Sequence, residues 1–197
     1  MRHLATRELF DYWDRLRGER SAPERSDIDL GAIRNLLADL FMLEVDNGHH
    51  FPFVMSGSRV NAFFCGEQKG RAFLDLWRGR DQQNIAAALL TVIDAACPVI
   101  ACAEARPEGY AKADLEILLL PLRHNGYAQA RILGLMTAAK KPTWLGLLAV
   151  EAMVLRSLRA IEDGALMGGA FDAQFPEPQR PDPPELRSHL RVIPGGR

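Results

Sequence analysis

Cysteine is scarce in this chain: Cys65, Cys97 and Cys102 are the only three in 197 residues, an odd number that provides no disulfide framework. Long hydrophobic runs are missing too. The most apolar window, Leu115 to Leu122, falls far short of the roughly 20 residues that span a bilayer. No apolar stretch follows the charged Met1-Arg2-His3 start, so no secretory leader is expected. Neither sign of charge dominates: 24 basic side chains face 25 acidic ones, for a net charge of -1 and a pI near 6.5. Such a chain has no overall cationic field for nucleic acid or an anionic membrane. These absences together lead us to expect a cytoplasmic protein with reduced thiols, no membrane contact and no nucleic-acid partner.

What is present is an ordinary globular composition, 48% hydrophobic and 25% charged, in a length that suits one domain with extensions. Leu9, Tyr12, Trp13 and Leu16 recur at spacings of three and four, placing them on one helical face, and Gly18 offers a stop. A lone solvated helix with this stripe would leave aromatic side chains in water, at roughly 2 to 3 kcal/mol each. The spacing therefore predicts an N-terminal docking arm over residues 1–28, packed on the body or on a second copy, with Phe10, Tyr12, Trp13 and Leu16 as its interface. A second helix is expected from Asp27 or Asp29, with Leu30, Ile33, Leu36, Leu37 and Leu40 as its stripe.

Beyond this point the period shortens. Phe41 to Val45 and Phe51 to Met55 are short apolar runs flanking Asp46-Asn47-Gly48-His49-His50, and Asn-Gly is a strong hairpin signal. A short helix around Val60, Phe63 and Phe64 follows, then a longer one over 81–96 with Asp81 as its cap. Three strands are expected at Val99–Ala105, Asp114–Leu122 and Arg131–Ala138. The middle one starts by alternating and then turns continuously apolar, as expected where it is covered on both sides. Residues 143–161 fit either a helix or a strand, and helix is the reading preferred. Half of the 12 prolines lie beyond Gly169, so residues 170–197 read as a Pro-rich tail, with Leu190 to Ile193 able to join a sheet edge. The whole is an α+β chain: a five-stranded antiparallel sheet with helices on one side, a core over 29–142 and a C-terminal extension over 143–169.

This order is similar to that of the PAS fold, and the residue pattern resembles one bacterial branch of it, made of small stand-alone proteins long catalogued only as a domain of unknown function. The residues that carry the likeness are Tyr12-Trp13 with Leu16-Arg17-Gly18, Arg20, Pro23 and Arg25, then Gly57, Gly66, Gly70 and Leu76-Trp77, then Leu120-Pro121-Leu122 and Gly134. Val54 and Met55 stand where such proteins carry an arginine ahead of the glycine. The resemblance implies a non-catalytic sensory or protein-interaction module in signal transduction, with signalling proteins as partners and self-association through the arm.

Within a PAS-like core, Phe63, Phe73, Trp77, Ile100, Cys102 and Leu118 are the candidates to border a cavity for a small apolar or aromatic ligand. The cofactor is left unknown. A flavin adduct at Cys65 is disfavoured by its neighbours Phe63-Phe64-Cys65-Gly66-Glu67, and haem is disfavoured because residues 57–98 lack histidine. His49 and His50, adjacent in a turn, do not amount to a metal site, which needs three or four converging ligands. Arg15, Arg17, Arg20 and Arg25 are nearly neutralised by Asp11, Asp14, Glu19, Glu24 and Asp27, so ion pairing is preferred to phosphate binding. The glycines at 57, 66 and 70 match no phosphate-binding loop. The alternative from another class is a small cone-fold isomerase or hydrolase acting on a hydrophobic substrate. It requires a deep acid-base group, and Asp114 and Glu116 are what the central strand offers.

Overall fold

The computed structural model describes residues 1–46, 48–124 and 127–161. Six strands form one antiparallel sheet in the order β2-β1-β5-β4-β3-β6, with β1 at Leu40–Glu44, β2 at Phe53–Ser56, β3 at Val99–Ala105, β4 at Ala113–His124, β5 at Tyr127–Ala138 and β6 at Met153–Ala160. The helices are α1 (Leu4–Arg17), α2 (Ser58–Phe63) and α3 (Gly79–Asp94), with single tight turns at Arg25–Asp27 and Phe73–Leu76.

The central pair explains the layering. Along β4, Leu115, Ile117 and Leu119 join one apolar cluster while Leu118, Leu120 and Leu122 join another. Successive side chains of a strand point to opposite faces, so an unbroken apolar run must be covered twice. The inner face packs against α2, the Phe73–Leu76 turn and α3 through Val60, Phe63, Phe73, Ile85, Leu89 and Val92. On the outer face lie α1 and the segment that follows it, through Leu9, Phe10, Tyr12, Trp13, Ile33 and Leu36. The core helices thus cover one face of the sheet and the N-terminal arm covers the other.

The arm folds back on its own chain. Its helix ends at Gly18, whose φ of +56° suits a residue without a Cβ and whose N–H donates to the Asp14 carbonyl. Trp13 is buried and its Nε1–H donates to the Pro121 carbonyl at 2.9 Å, so an indole in an apolar face loses no hydrogen bond on burial. The Tyr12 hydroxyl accepts from the Asp29 N–H at 2.8 Å and donates to the Asp29 carbonyl at 3.3 Å, fixing where the chain returns. The start of the arm is held by Glu116, a buried carboxylate on the outer face of β4 that accepts from the N–H groups of Arg2 (2.8 Å) and His3 (3.2 Å). These amides open α1, and His3, its N-cap residue, makes no side-chain cap of its own.

Three expectations are corrected. The second helix is absent: Asp29 accepts from the Gly31 N–H through its side chain instead of capping, and residues 30–39 pass through successive turns. The bonds Leu36 N–H to Ile33 O and Asp39 N–H to Leu36 O are of i to i+3 type, and Ile33 and Leu36 at that spacing are buried in either geometry. The segment ends on Asp39, which pairs with Arg59 through two 2.6 Å contacts and fixes β1 against α2. Residues 143–161 are not helical: turns over 143–147 lead to β6, which pairs antiparallel with the free edge of β3 and makes the sheet six-stranded. Leu147 and Val154, two of the apolar residues whose spacing suits a helix, are 77% and 46% exposed. Finally, α3 begins at Gly79, ahead of Asp81, whose carboxylate accepts from the Leu155 N–H and so ties the helix to β6. The turn residues Asn47, Asn125 and Gly126 and the tail beyond 161 lie outside the described residues.

Two outcomes follow from this packing. A Cβ on Gly134 would come within 2.1 Å of the Phe41 ring, so Gly134→Ala should lower stability by about 1–3 kcal/mol, measured by urea unfolding. Burial acts to raise the pKa of Glu116, but the Thr6 hydroxyl, the Arg2 and His3 amides and the N-terminal ammonium together outweigh it and hold the carboxyl below its ordinary 4.5. A carboxyl depressed in the folded state stabilises fully above that ordinary value and ceases to do so as pH falls through its folded value. Arm docking should therefore weaken in acid, below about pH 4.5. Glu116→Gln should flatten that pH dependence, read from proteolytic cleavage near residue 18 against pH.

Candidate ligand-binding core

The inner face gathers the aromatic side chains. Phe41 of β1 stacks on Phe73 with centroids 5.4 Å apart, and Phe53 of β2 meets both edge-on at 5.5 and 5.7 Å. Trp77 continues the cluster 6.2 Å from Phe73, while Phe63 of α2 packs edge-on against Trp144 at 6.0 Å. All six rings are buried. Edge-to-face and offset contacts of this kind add about 0.5–1.5 kcal/mol per pair beyond area burial. The cluster forms because the two apolar runs of the first hairpin send alternate side chains inward and because Gly134 on the neighbouring strand leaves room for the Phe41 ring.

Two buried polar atoms, one of them in this core, have no hydrogen-bond partner among the described residues. One is Nε1 of Trp77, which is 0% exposed; the other is Oε1 of Gln68, also 0% exposed. The Gln68 side chain is otherwise anchored, donating from Nε2 to the Gly66 carbonyl at 2.7 Å. The Trp77 backbone bridges to Met153 at the start of β6, so the indole stands on a pinned segment. A buried donor without an acceptor costs about 1–3 kcal/mol, so it calls for a physical reason.

The six cavity candidates separate into two groups of three. Phe63, Phe73 and Trp77 share the inner core. Leu118 belongs to the outer cluster beneath the arm. Ile100 and Cys102 alternate with the inward Val99, Ala101 and Ala103 and so share that outer face, where their register partners are Leu118 and Glu116. The reason is strand parity: a choice of one face on β3 and β4 fixes every second residue, and the even-numbered ones point outward. Of the arm residues, Phe10, Tyr12 and Trp13 are buried in the chain's own outer cluster and Leu16 packs half-buried against it.

Other groups can be placed as firmly. The Cys65 thiol is exposed, lying 3.9 Å from the Ala62 carbonyl on a turn with φ of +48°. His50 is exposed and pairs with Asp46 at 2.8 Å. No cluster of three or more metal-ligating side chains occurs among the described residues. Neither acid-base candidate enters the inner core. Asp114 is solvent-facing, 3.6 Å from Lys112, and Glu116 is taken up by the amides of the arm. Sequence reading missed Phe41 and Phe53 as core-lining groups and Gln68 as a buried one. The first two were visible as inward positions of the expected hairpin, whereas Gln68 sits in an irregular loop with no periodicity to assign it a side.

A family model described as "PAS domain" matches residues 1–137. Among solved structures, the Rhodobacter sphaeroides LOV protein aligns with a TM-score of 0.42 at 13% identity, covering 58% of this chain and 70% of that one. A substituted form of RsLOV aligns with the same TM-score at 16% identity, covering 55% and 66%, so the chain spans just under two thirds of its length. No curated protein matches the chain. No described helix is long and apolar enough to cross a membrane.

Removing the unpaired indole N–H while keeping an aromatic ring should separate strain from packing. Trp77→Phe is expected to cost less than about 2 kcal/mol, well under the 3–5 kcal/mol usual for deleting a buried aromatic, as read by thermal unfolding.

Proposed function

We propose, from the premise that the chain belongs to the PAS domain family, that it is a non-catalytic sensory and regulatory module whose inner aromatic core takes a small ligand. PAS domains are in general sensory modules. The observation that carries the reading is the unpaired Nε1–H of Trp77 in a fully buried aromatic cluster. A flat, largely apolar ligand with one hydrogen-bond acceptor would slide among Phe63, Phe73 and Trp77 and satisfy that donor. Such a ligand replaces ring contacts with ring contacts, while the new hydrogen bond favours the bound state.

Output would run through protein docking. The arm covers apolar surface on Leu118, Leu120, Leu122, Leu133 and Leu135, and its release would offer that face to a signalling partner or to the arm of a second copy. Phe10, Tyr12, Trp13 and Leu16 would then serve as the exchanging surface of a homo-oligomer. The acid-base alternative is the weaker reading, since Asp114 and Glu116 both lie off the inner core.

Native mass spectrometry of freshly purified protein, followed by denaturing mass analysis of the same sample, tests the sensing claim. The expected result is a small molecule bound in stoichiometric amount, retained by the wild type and lost at least tenfold more readily from Trp77→Phe. A folded wild type that carries and takes up no small molecule would overturn ligand sensing. Deleting residues 1–26 should expose the outer sheet face, lower the melting temperature and change the mass in solution; unchanged mass and melting would contradict the role of the arm.

A further inference from the structure

A second concavity lies away from the aromatic core, between the Phe73–Leu76 turn and the segment that leads into β6. It has a volume of about 390 Å³ and is lined by Phe64, Leu76 and Val150 on its apolar side and by Arg71, Arg78, Asp75 and Glu151 on its polar side. That size falls in the range of small-molecule sites, roughly 300–1,000 Å³.

All four charged side chains are exposed, and the way they are held gives the groove its polar geometry. Nη1 of Arg78 donates to the carbonyls of Asp75 (2.7 Å) and Trp77 (3.1 Å), and Nη2 donates to the Glu151 carbonyl at 3.4 Å. Three uncharged acceptors therefore hold the guanidinium in place across the groove without neutralising it. Of its five N–H donors, Nε–H and one on Nη2 stay free, enough for a two-point grip on a carboxylate. Arg71 is positioned by its backbone, which donates to the Gln68 carbonyl and accepts from the Phe53 N–H, and its side chain has no partner among the described residues. Asp75 and Glu151 form no ion pair among the described residues either. Two unpaired cations and two unpaired anions thus share one groove with an apolar side.

A purely anionic ligand would be drawn by the arginines and repelled by the carboxylates, and a purely cationic one the reverse. A dipolar ligand uses both. We infer that this groove binds a free amino acid with an apolar side chain: its carboxylate on the Arg78 and Arg71 guanidiniums, its ammonium on Asp75 and Glu151, and its side chain against Leu76 and Val150. The groove is separate from the aromatic core, yet Arg78 follows Trp77 directly and grips Glu151 beside the β6 entry, so occupancy there would stiffen the junction between core and edge strand.

Isothermal titration calorimetry of the full chain with L-leucine and L-phenylalanine provides the test, with N-acetyl-L-leucine and L-leucinamide as analogues that each keep one charge. Saturable binding of an amino acid is expected, at least tenfold weaker for both analogues. It should be at least tenfold weaker again in Arg78→Gln and in Asp75→Asn. Arg71→Gln, remote from any backbone contact of its side chain, supplies a second cationic variant should Arg78→Gln unfold. Lys112→Gln, exposed and outside the groove lining, should bind the amino acid as the wild type does. Absence of saturable binding, equal affinity for the single-charge analogues, or loss of binding in a folded Lys112→Gln would each overturn the assignment.

Discussion

The constraint on which the rest of this structure depends is that β4 and β5 are apolar on both faces. Leu115, Ile117 and Leu119 demand cover on one side; Leu118, Leu120 and Leu122 demand it on the other. A sheet that could leave one face to water would need no N-terminal arm. Here the arm closes the second face, and its polar contacts are chosen to make burial tolerable: an indole N–H on a carbonyl, a tyrosine hydroxyl on a backbone pair, and a buried carboxylate receiving the free amides at the start of a helix. Each of these contacts satisfies a group that would otherwise be stranded, and each also fixes register.

The inner face meets the same demand with aromatic rings and reaches a different result. Phe41, Phe53, Phe73 and Trp77 interlock through edge and stacked contacts, with Gly134 giving Phe41 its space, yet the Trp77 donor is left unanswered. The outer face satisfies its indole; of the two indoles on the inner face, Trp144 donates to the Ala111 carbonyl at 2.8 Å while Trp77 has no partner among the described residues. The one unpaired indole among three buried tryptophans is the physical basis on which we propose sensing for the inner side and docking for the outer. The segment after β5 joins the two: it packs Trp144 on Phe63, bridges Met153 to Trp77, and then becomes the edge strand β6.

Much of this was legible in the sequence. The arm stripe at Leu9, Tyr12 and Trp13, the hairpin runs, and the three long strands follow from periods of 3.6 and 2, and the uninterrupted apolar stretch in β4 announced burial on both sides. What failed has specific causes. Ile33 and Leu36 are three apart, a spacing shared by helices and by serial turns, and the Asp29 side chain decided for turns by bonding Gly31. The strand β6 was hidden because spacings of three and four among Leu147, Val150, Val154 and Leu158 mimic a helix, whereas the open edge of β3, which captures it, is a tertiary fact. Half of the candidate site was misplaced since alternation along β3 and β4 shows that neighbours face apart but not which of them face inward. Gln68 and the charged groove depend on loop geometry, which has no period to read.

The account turns on the arm being a fixed part of the fold, and hydrogen exchange of the Trp13 indole N–H, followed by NMR in the intact chain at neutral pH, tests this most directly. Burial against the Pro121 carbonyl predicts exchange slowed to the scale of the β4 backbone amides. Exchange at the rate of a solvent-exposed indole would contradict it, because the outer sheet face would then be without its cover.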